Sequence, residues 1–150
     1  MVFYRRKSTR LPNYDYSTCN YYFITICTNE RKCIFGKPGC LNNLGKTAEE
    51  HIQKMPSYYQ NVFIDKYIVM PNHVHMILKL QGEGNPPVTQ IIGQYKRGVT
   101  NKIREKIPDM KVWQRSFHDH IIRSQATYEQ IWLYIDANPQ NWSKDQLYVE

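Results

Sequence analysis

His73 and His75 flank a single valine in the apolar run Tyr67-Ile68-Val69-Met70-Pro71-Asn72-His73-Val74-His75-Met76-Ile77-Leu78. Side chains alternate faces along a strand, so the two imidazoles share one face while Val74 and Met76 share the other. Two neutral imidazoles side by side can hold one divalent cation. Such a pair, joined by a tyrosine from elsewhere in the chain, is enough machinery to cut a phosphodiester. The same spacing also serves plain packing. Two imidazoles on an otherwise apolar strand nevertheless need polar partners.

The tyrosine can come from Ile131-Trp132-Leu133-Tyr134-Ile135-Asp136-Ala137-Asn138-Pro139. On a helix Tyr134 and Asn138 stand at i and i+4, on one face. Periodicity alone reads Tyr134 equally well as a core aromatic. A phenol titrates near 10 and is a poor nucleophile at neutral pH. It becomes useful when a metal polarises the target phosphate and stabilises the displaced oxygen. Asn138 can add an oxygen ligand to the imidazoles, although Pro139 disfavours a helical backbone at the residue before it. Mg²⁺ prefers oxygen, so two imidazoles suit Mn²⁺ somewhat better. His118-Asp119-His120 repeats the His-x-His spacing, but its central residue is charged, which makes it the secondary pair.

These residues need a scaffold. Residues 21–28 are aromatic and β-branched and read as a strand. Residues 29–43 hold Gly36, Pro38 and Gly39 and read as a loop. Residues 44–54 have helix composition, with Thr47-x-x-Glu50 as a capping box and Pro56 as a stop. Residues 62–70 and 73–80 read as two strands joined by Pro71-Asn72. Residues 81–87 form a linker. Residues 88–106 show helical periodicity through Ile91, Ile92, Tyr95, Val99 and Ile103. Residues 117–123 read as a fourth strand, and residues 127–137 as a helix ending before Pro139. The order is βαββαβ plus a final helix, which predicts a ferredoxin-like α+β sandwich with an additional C-terminal helix carrying the tyrosine. Helices cover one sheet face in that architecture. The other is free for a site unless the extra helix covers it.

The 150 residues suffice for a single domain, 1–150, with a real core. The 20 Lys+Arg against 13 Asp+Glu give a formal charge of +7, which favours a polyanion partner, nucleic acid before membrane. No apolar run is long enough to span a bilayer and no secretory signal opens the chain, so no membrane role is expected. Cys19, Cys27, Cys33 and Cys40 form no C-x-x-C pair, which argues against a zinc site and for reduced thiols in the cytosol. Cys27 reads as a small hydrophobe on a strand. Single strands of nucleic acid are held by basic grooves with aromatic platforms. The segment 1–20 fits this, interleaving Arg5, Arg6, Lys7 and Arg10 with Tyr14 and Tyr16. Lys96 and Arg97, beside Gln94, Tyr95, Asn101 and Lys102, form a second candidate face.

Several separated motifs, in one order, resemble the HUH-type single-tyrosine transposases, especially the REP-associated tyrosine transposase branch. They are Arg5-Arg6-Lys7-Ser8-Thr9-Arg10-Leu11 with Tyr14-Asp15-Tyr16, and Tyr22-Phe23-Ile24-Thr25-Ile26-Cys27-Thr28. Val69-Met70-Pro71-Asn72-His73-Val74-His75 and Trp113-Gln114-Arg115-Ser116-Phe117-His118-Asp119-His120-Ile121-Ile122-Arg123 follow, and Tyr134-Ile135-Asp136-Ala137-Asn138-Pro139 completes the set. The resemblance covers nearly the whole chain. It implies a ferredoxin-like domain that binds hairpin-forming single-stranded DNA. It further implies that His73 and His75 hold a divalent metal, Mg²⁺ or Mn²⁺, and that Tyr134 attacks to give a 5′-phosphotyrosine and a free 3′-OH. Asn138 matches the third-ligand position, where other members of the wider group carry Gln. A monomer or homodimer in a prokaryotic cytoplasm, at the nucleoid, is the implied setting.

Two alternatives remain open at the level of sequence. One is a replication initiator or relaxase with the same paired histidines. The other is a domesticated DNA-binding protein that no longer cleaves, although the histidine pair and Tyr134 are all present. A histidine-triad hydrolase needs a further His where Ile77 stands, and a two-histidine phosphoesterase needs two His-x-Thr/Ser motifs that are absent.

Overall fold

The computed structural model describes residues 10–150. Its main sheet has four antiparallel strands in the order β4-β5-β1-β6, from β1 (Tyr21–Cys27), β4 (Val62–Met70), β5 (His73–Leu80) and β6 (His118–Ile122). Helices α1 (Asn43–Tyr58) and α2 (Val88–Arg104) are the two crossovers. This is the ferredoxin-like arrangement, followed by α3 (Gln125–Ala137). Among the described residues no helix is long and apolar enough to cross a membrane.

Strand alternation divides the sheet into two faces with different tasks. Tyr22, Ile24 and Ile26 of β1 and Val74, Met76 and Leu78 of β5 pack with Ile52, Met55, Ile91, Ile92, Tyr95 and Val99 of α1 and α2. Phe23, Ile77 and Ile122 point the other way and meet Ile131 and Ile135 of α3. Both α3 isoleucines are fully buried, worth roughly 1.5–3 kcal/mol each in apolar burial. The extra helix therefore covers the second face, and any site there lies beneath it.

The β4–β5 hairpin sets the register of that face. Pro71-Asn72 is a two-residue turn, so Met70 pairs with His73 and Ile68 with His75. Across β1, Cys27 lies opposite His73 and Thr25 opposite His75. A bulge between Ile64 and Lys66 pushes Asp65 outward, where its carboxylate accepts from the Tyr128 hydroxyl at 2.8 Å.

Several boundaries differ from the sequence expectations. Helix α1 runs through Pro56 to Tyr58. The proline removes one N–H from the helix ladder, and the buried Ile52 and Met55 hold that last turn on the core. The cap is Asn42, whose side chain accepts from Gly45 N at 2.9 Å, rather than a Thr47/Glu50 box. Thr47 lies inside the helix and returns its hydroxyl to Asn43 O at 3.0 Å. The expected loop 29–43 contains a small hairpin, β2 (Gly36–Lys37) with β3 (Cys40–Leu41). Gly36 adopts φ 106° there, and a Cβ would sit 2.7 Å from backbone atoms of Cys40 and Asn42, so a side chain is excluded.

Candidate metal and nucleophile centre

β5 opens with His73, and both imidazoles are fully buried beneath the C-terminal end of α3, with ring centroids 4.5 Å apart. Each ring is held by its Nδ1. His73 Nδ1 lies 2.8 Å from Asn72 Oδ1. The Asn72 amide nitrogen donates to Arg31 O and Leu147 O, at 3.2 and 2.7 Å, which turns its oxygen toward His73. His73 Nδ1 is thus the protonated nitrogen, and Nε2 presents its lone pair. His75 Nδ1 lies 2.8 Å from Thr25 Oγ1, its cross-strand neighbour. When His75 donates to Thr25, its Nε2 is likewise an acceptor.

Among the described residues, three buried acceptor atoms have no hydrogen-bond partner: His73 Nε2, His75 Nε2 and Asn138 Oδ1. Leaving such groups unsatisfied costs about 1–3 kcal/mol each. Two imidazole nitrogens and an amide oxygen are a donor set that a divalent cation satisfies. Asp145 adds a carboxylate, and one of its oxygens and one nitrogen of each imidazole all lie within 4.8 Å of one another. Asp145 Oδ2 is 3.7 Å from His73 Nε2 and accepts from Asn138 Nδ2 at 2.7 Å. Asp145 Oδ1 accepts from Leu147 N at 2.8 Å. A short 3₁₀ turn, Trp142–Lys144, delivers Asp145 and sets the Trp142 ring 6.0 Å from that of His73.

Burial makes both imidazoles hard to protonate. It pushes His73 down to about 4, against an opposing pull from the Asp145 charge and the nearby Asn138 side chain. It holds His75 well below the ordinary histidine value, with the neighbouring His73 adding to the effect. Neutral imidazole is the form that ligates a metal. Cys27 also faces this region, but burial pushes its thiol up to about 11. It remains a small hydrophobe on β1, as its sequence context suggests.

Tyr134 is half-buried on α3, with its ring centroid 5.4 Å from His75 and 6.3 Å from Phe23. Asn138, one turn on, is buried and has φ −58° and ψ −42°. It keeps helical geometry despite Pro139, because its amide is pinned by Asp145. The fold thus gathers His73, His75, Tyr134 and Asn138 at one place. It adds Asp145, Asn72 and Thr25, which sequence reasoning did not single out. Strand pairing opposite His75 is the signal that could have found Thr25. The Asn-His adjacency could have found Asn72, and nothing local marks Asp145.

The expected DNA-binding residues occupy several environments. Arg5, Arg6 and Lys7 lie outside the described residues. Arg10 Nη1 donates to Phe117 O at 2.9 Å and to Asp119 Oδ1 at 3.0 Å, with its guanidinium 3.5 Å from the Phe117 ring centre. Tyr16 donates to the other Asp119 oxygen at 3.0 Å. Tyr14 is half-buried, its hydroxyl 2.9 Å from that of Tyr22. Lys96 donates to Gln114 O and Ser116 O at 2.8 and 2.6 Å. Arg97 is exposed. Of the secondary histidine pair, His118 and His120 sit on β6 opposite Thr25 and Phe23, on the face of the site, while Asp119 between them turns into the core.

The fold and this centre together define a helix-covered ferredoxin-like domain with a paired-histidine site and an adjacent tyrosine. The family model described as "Transposase IS200 like" matches residues 15–138, and the chain belongs to that family. A protein of Haemophilus influenzae without an assigned function is 34% identical, over 98% of this chain and 95% of its own length. A second H. influenzae protein, provisionally named a REP-associated tyrosine transposase, is 25% identical over 86% of this chain and 76% of its own. Among solved structures, a REP-associated tyrosine transposase bound to a REP hairpin superposes with a TM-score of 0.67 at 24% identity, covering 94% of this chain and 74% of that one. A crystal structure from Deinococcus radiodurans R1, provisionally named a transposase, gives a TM-score of 0.56 at 16% identity, over 85% and 95% of the two chains. These two likenesses show the fold.

Proposed function

We propose that this protein binds hairpin-forming single-stranded DNA and cleaves and rejoins it through a 5′-phosphotyrosine on Tyr134. His73, His75 and Asn138 would hold a divalent cation, Mn²⁺ or Mg²⁺, with Asp145 within reach as a further ligand. The convergence of three buried, partnerless acceptors beside the Tyr134 ring is the observation that carries this reading. A cation held there would supply Lewis acidity toward the scissile phosphate and its leaving oxygen.

The chain's own residues account for the remaining work. Asn72 and Thr25 fix the imidazole tautomers so that both Nε2 atoms face the site. Phe23, 5.1 Å from His75 and 6.3 Å from Tyr134 between ring centres, and the isoleucines of α3 exclude water from the ring side. Tyr134 Oη attacks phosphorus and loses its proton as the new O–P bond forms. The bond to the 3′ oxygen breaks, and that oxygen leaves as a 3′-OH after taking up a proton. One phosphodiester replaces another, so rejoining to a different 3′-OH needs no external energy source.

Basic residues supply the sequence-independent grip. Arg5, Arg6, Lys7 and Arg97 are proposed phosphate contacts. Arg10, Tyr14 and Lys96 would act from positions already tied to the protein, by shaping the surface the strand crosses. The REP hairpin bound by the structural relative supports a hairpin substrate class. The family supports action on DNA; the setting that goes with this reading is a prokaryotic cytoplasm, with the protein acting as a monomer or homodimer.

The test is incubation of the protein with a pool of labelled hairpin single strands and Mn²⁺, followed by denaturing electrophoresis. A labelled species that migrates with the protein and disappears with chelator is expected. Hairpin binding without any covalent species, in Mn²⁺ and in Mg²⁺, would reduce the protein to a non-cleaving binder.

A further inference from the structure

We propose that the cavity formed by Tyr21, Tyr128 and Arg123, at the opposite end of α3 from the histidines, is a binding site for one unpaired base of the substrate strand. This rests on the DNA-processing reading above and assigns a second contact point to it. The cavity measures about 400 Å³ and is also lined by Asn20, Ile122 and Gln125. That volume admits a flipped-out base with part of its sugar.

The lining matches the chemistry of a base. Tyr21 and Tyr128 present two ring surfaces, with centroids 5.2 Å apart at 72°, above an apolar floor of buried Ile122. Unpaired bases stack on aromatic rings and on guanidinium planes, and expose their hydrogen-bonding edges when splayed from a helix. Arg123 stands exposed at the rim, with no ion pair to any described residue. Its planar fork of donors suits a base edge rich in acceptors. The Tyr128 ring is fixed in advance, because its hydroxyl donates to Asp65. A preformed wall lowers the ordering cost of binding.

A phosphate subsite fits these observations less well. Ser124 already accepts from Thr127 N at 3.1 Å with its hydroxyl, and from Tyr128 N at 3.0 Å with its carbonyl. The first turn of α3 therefore offers these amides to its own cap. The side chains that line the cavity supply ring surface, side-chain amide and one guanidinium.

Position ties the cavity to the reaction. Tyr21 and Thr25 lie on the same face of β1, and Thr25 bonds His75. Four residues of strand span about 13 Å. At roughly 3.4 Å per stacked nucleotide this is about four nucleotides, fewer if the strand is stretched. A base held here would place the phosphate beside Tyr134 and so help to choose the bond that is cut.

The experiment uses the full chain and a hairpin with a single-stranded flank. Each flank nucleotide is replaced in turn by an abasic site, and affinity is read by fluorescence anisotropy and cleavage by covalent adduct. The expected result is one position, within about four nucleotides of the cut, where loss of the base weakens binding about tenfold. Arg123→Ala and Tyr128→Leu should each weaken the intact strand by a similar factor and flatten that dip. Tyr128→Phe, which keeps the ring, should preserve it. Circular dichroism checks the fold of each variant, and exposed Arg123 makes Arg123→Ala the safer arm. A flat scan in the wild type, or a dip unchanged in folded Arg123→Ala, overturns the proposal. Arg123-dependent binding of a free nucleoside monophosphate with no positional dip would also overturn it, in favour of a mononucleotide site. These failures leave adduct formation intact, whereas absence of any adduct is a failure of the proposed function itself.

Discussion

Saturating the protein with Mn²⁺ should raise its melting temperature, and removing both imidazoles should abolish the effect. His73 Nε2, His75 Nε2 and Asn138 Oδ1 are buried without donors among the described residues, so the folded state carries a penalty that a cation relieves. The unfolded chain has no preformed site, so binding free energy adds to folding free energy. At a free metal concentration one hundred times Kd the gain is about 2.7 kcal/mol. For a chain of this size each kcal/mol moves Tm by roughly 2–4 °C, so the shift should be about 5–11 °C. The assay is differential scanning fluorimetry of chelator-treated protein over a Mn²⁺ titration, with Ca²⁺ as an oxygen-preferring comparison. The His73→Ala, His75→Ala double variant should show no shift. Asp145→Asn should retain a reduced one, since it keeps an oxygen but loses the charge. An equal shift in wild type and double variant would place the metal elsewhere and rule out the histidine pair as its ligands.

Three further outcomes follow from the same contacts. Thr25→Val removes the hydroxyl that orients His75 and should weaken metal affinity about 10–100-fold by calorimetric titration, with little change in secondary structure. Asp119→Asn removes the charge that Arg10 and Tyr16 share in the core, and breaking such a pair costs about 3–5 kcal/mol when buried. Arg10 keeps about a fifth of its side chain exposed, so a loss of roughly 2–4 kcal/mol is expected in urea unfolding. Acid should destabilise the metal-free protein early. His73 titrates near 4 when folded, below its ordinary value of about 6.5, so the unfolded chain takes up the proton first. That stability is complete above about pH 6.5 and is lost between there and about pH 4, on the order of 3 kcal/mol for His73 alone. Urea midpoints that stay constant across this window would contradict the burial of neutral imidazoles.

Much of this centre could be read from residues alone because it is built on strict periodicities. His-x-His on a strand puts both rings on one face whatever the rest of the chain does. The i, i+4 spacing likewise puts Tyr134 and Asn138 on one side of α3. The Pro71-Asn72 turn fixed both the hairpin and its register. Asp145 escaped because it follows a single 3₁₀ turn in a tail without periodicity, and its position depends on Asn138 and on contacts with Leu147. The hairpin within 29–43 escaped because two-residue strands are too short to show alternation. The cap of α1 escaped because Asn42 competes with Thr47 for that role, and only the close approach of Gly45 to Phe35 O, where a Cβ would lie at 2.3 Å, favours the earlier start. Charge alone did not reveal that Arg10 and Lys96 bond to groups of the protein itself.

If Tyr134 is the nucleophile, the covalent adduct must map to it. Tyr128 and Tyr148 are the rivals on and after the same helix. The Tyr128 hydroxyl is bound to Asp65, where burial and that bond push it up to about 12, and its ring packs on Tyr21 at the far end of the face. Tyr148 packs on Trp142, which itself neighbours His73. The protein should be incubated with labelled hairpin DNA and Mn²⁺, digested, and the DNA-bearing peptide sequenced. A single modified peptide carrying Tyr134 is expected. Tyr134→Phe, which keeps the ring against His75 and Phe23, should retain hairpin affinity and form no adduct. DNA attached to Tyr128 or Tyr148, or an adduct that persists in Tyr134→Phe, would contradict it.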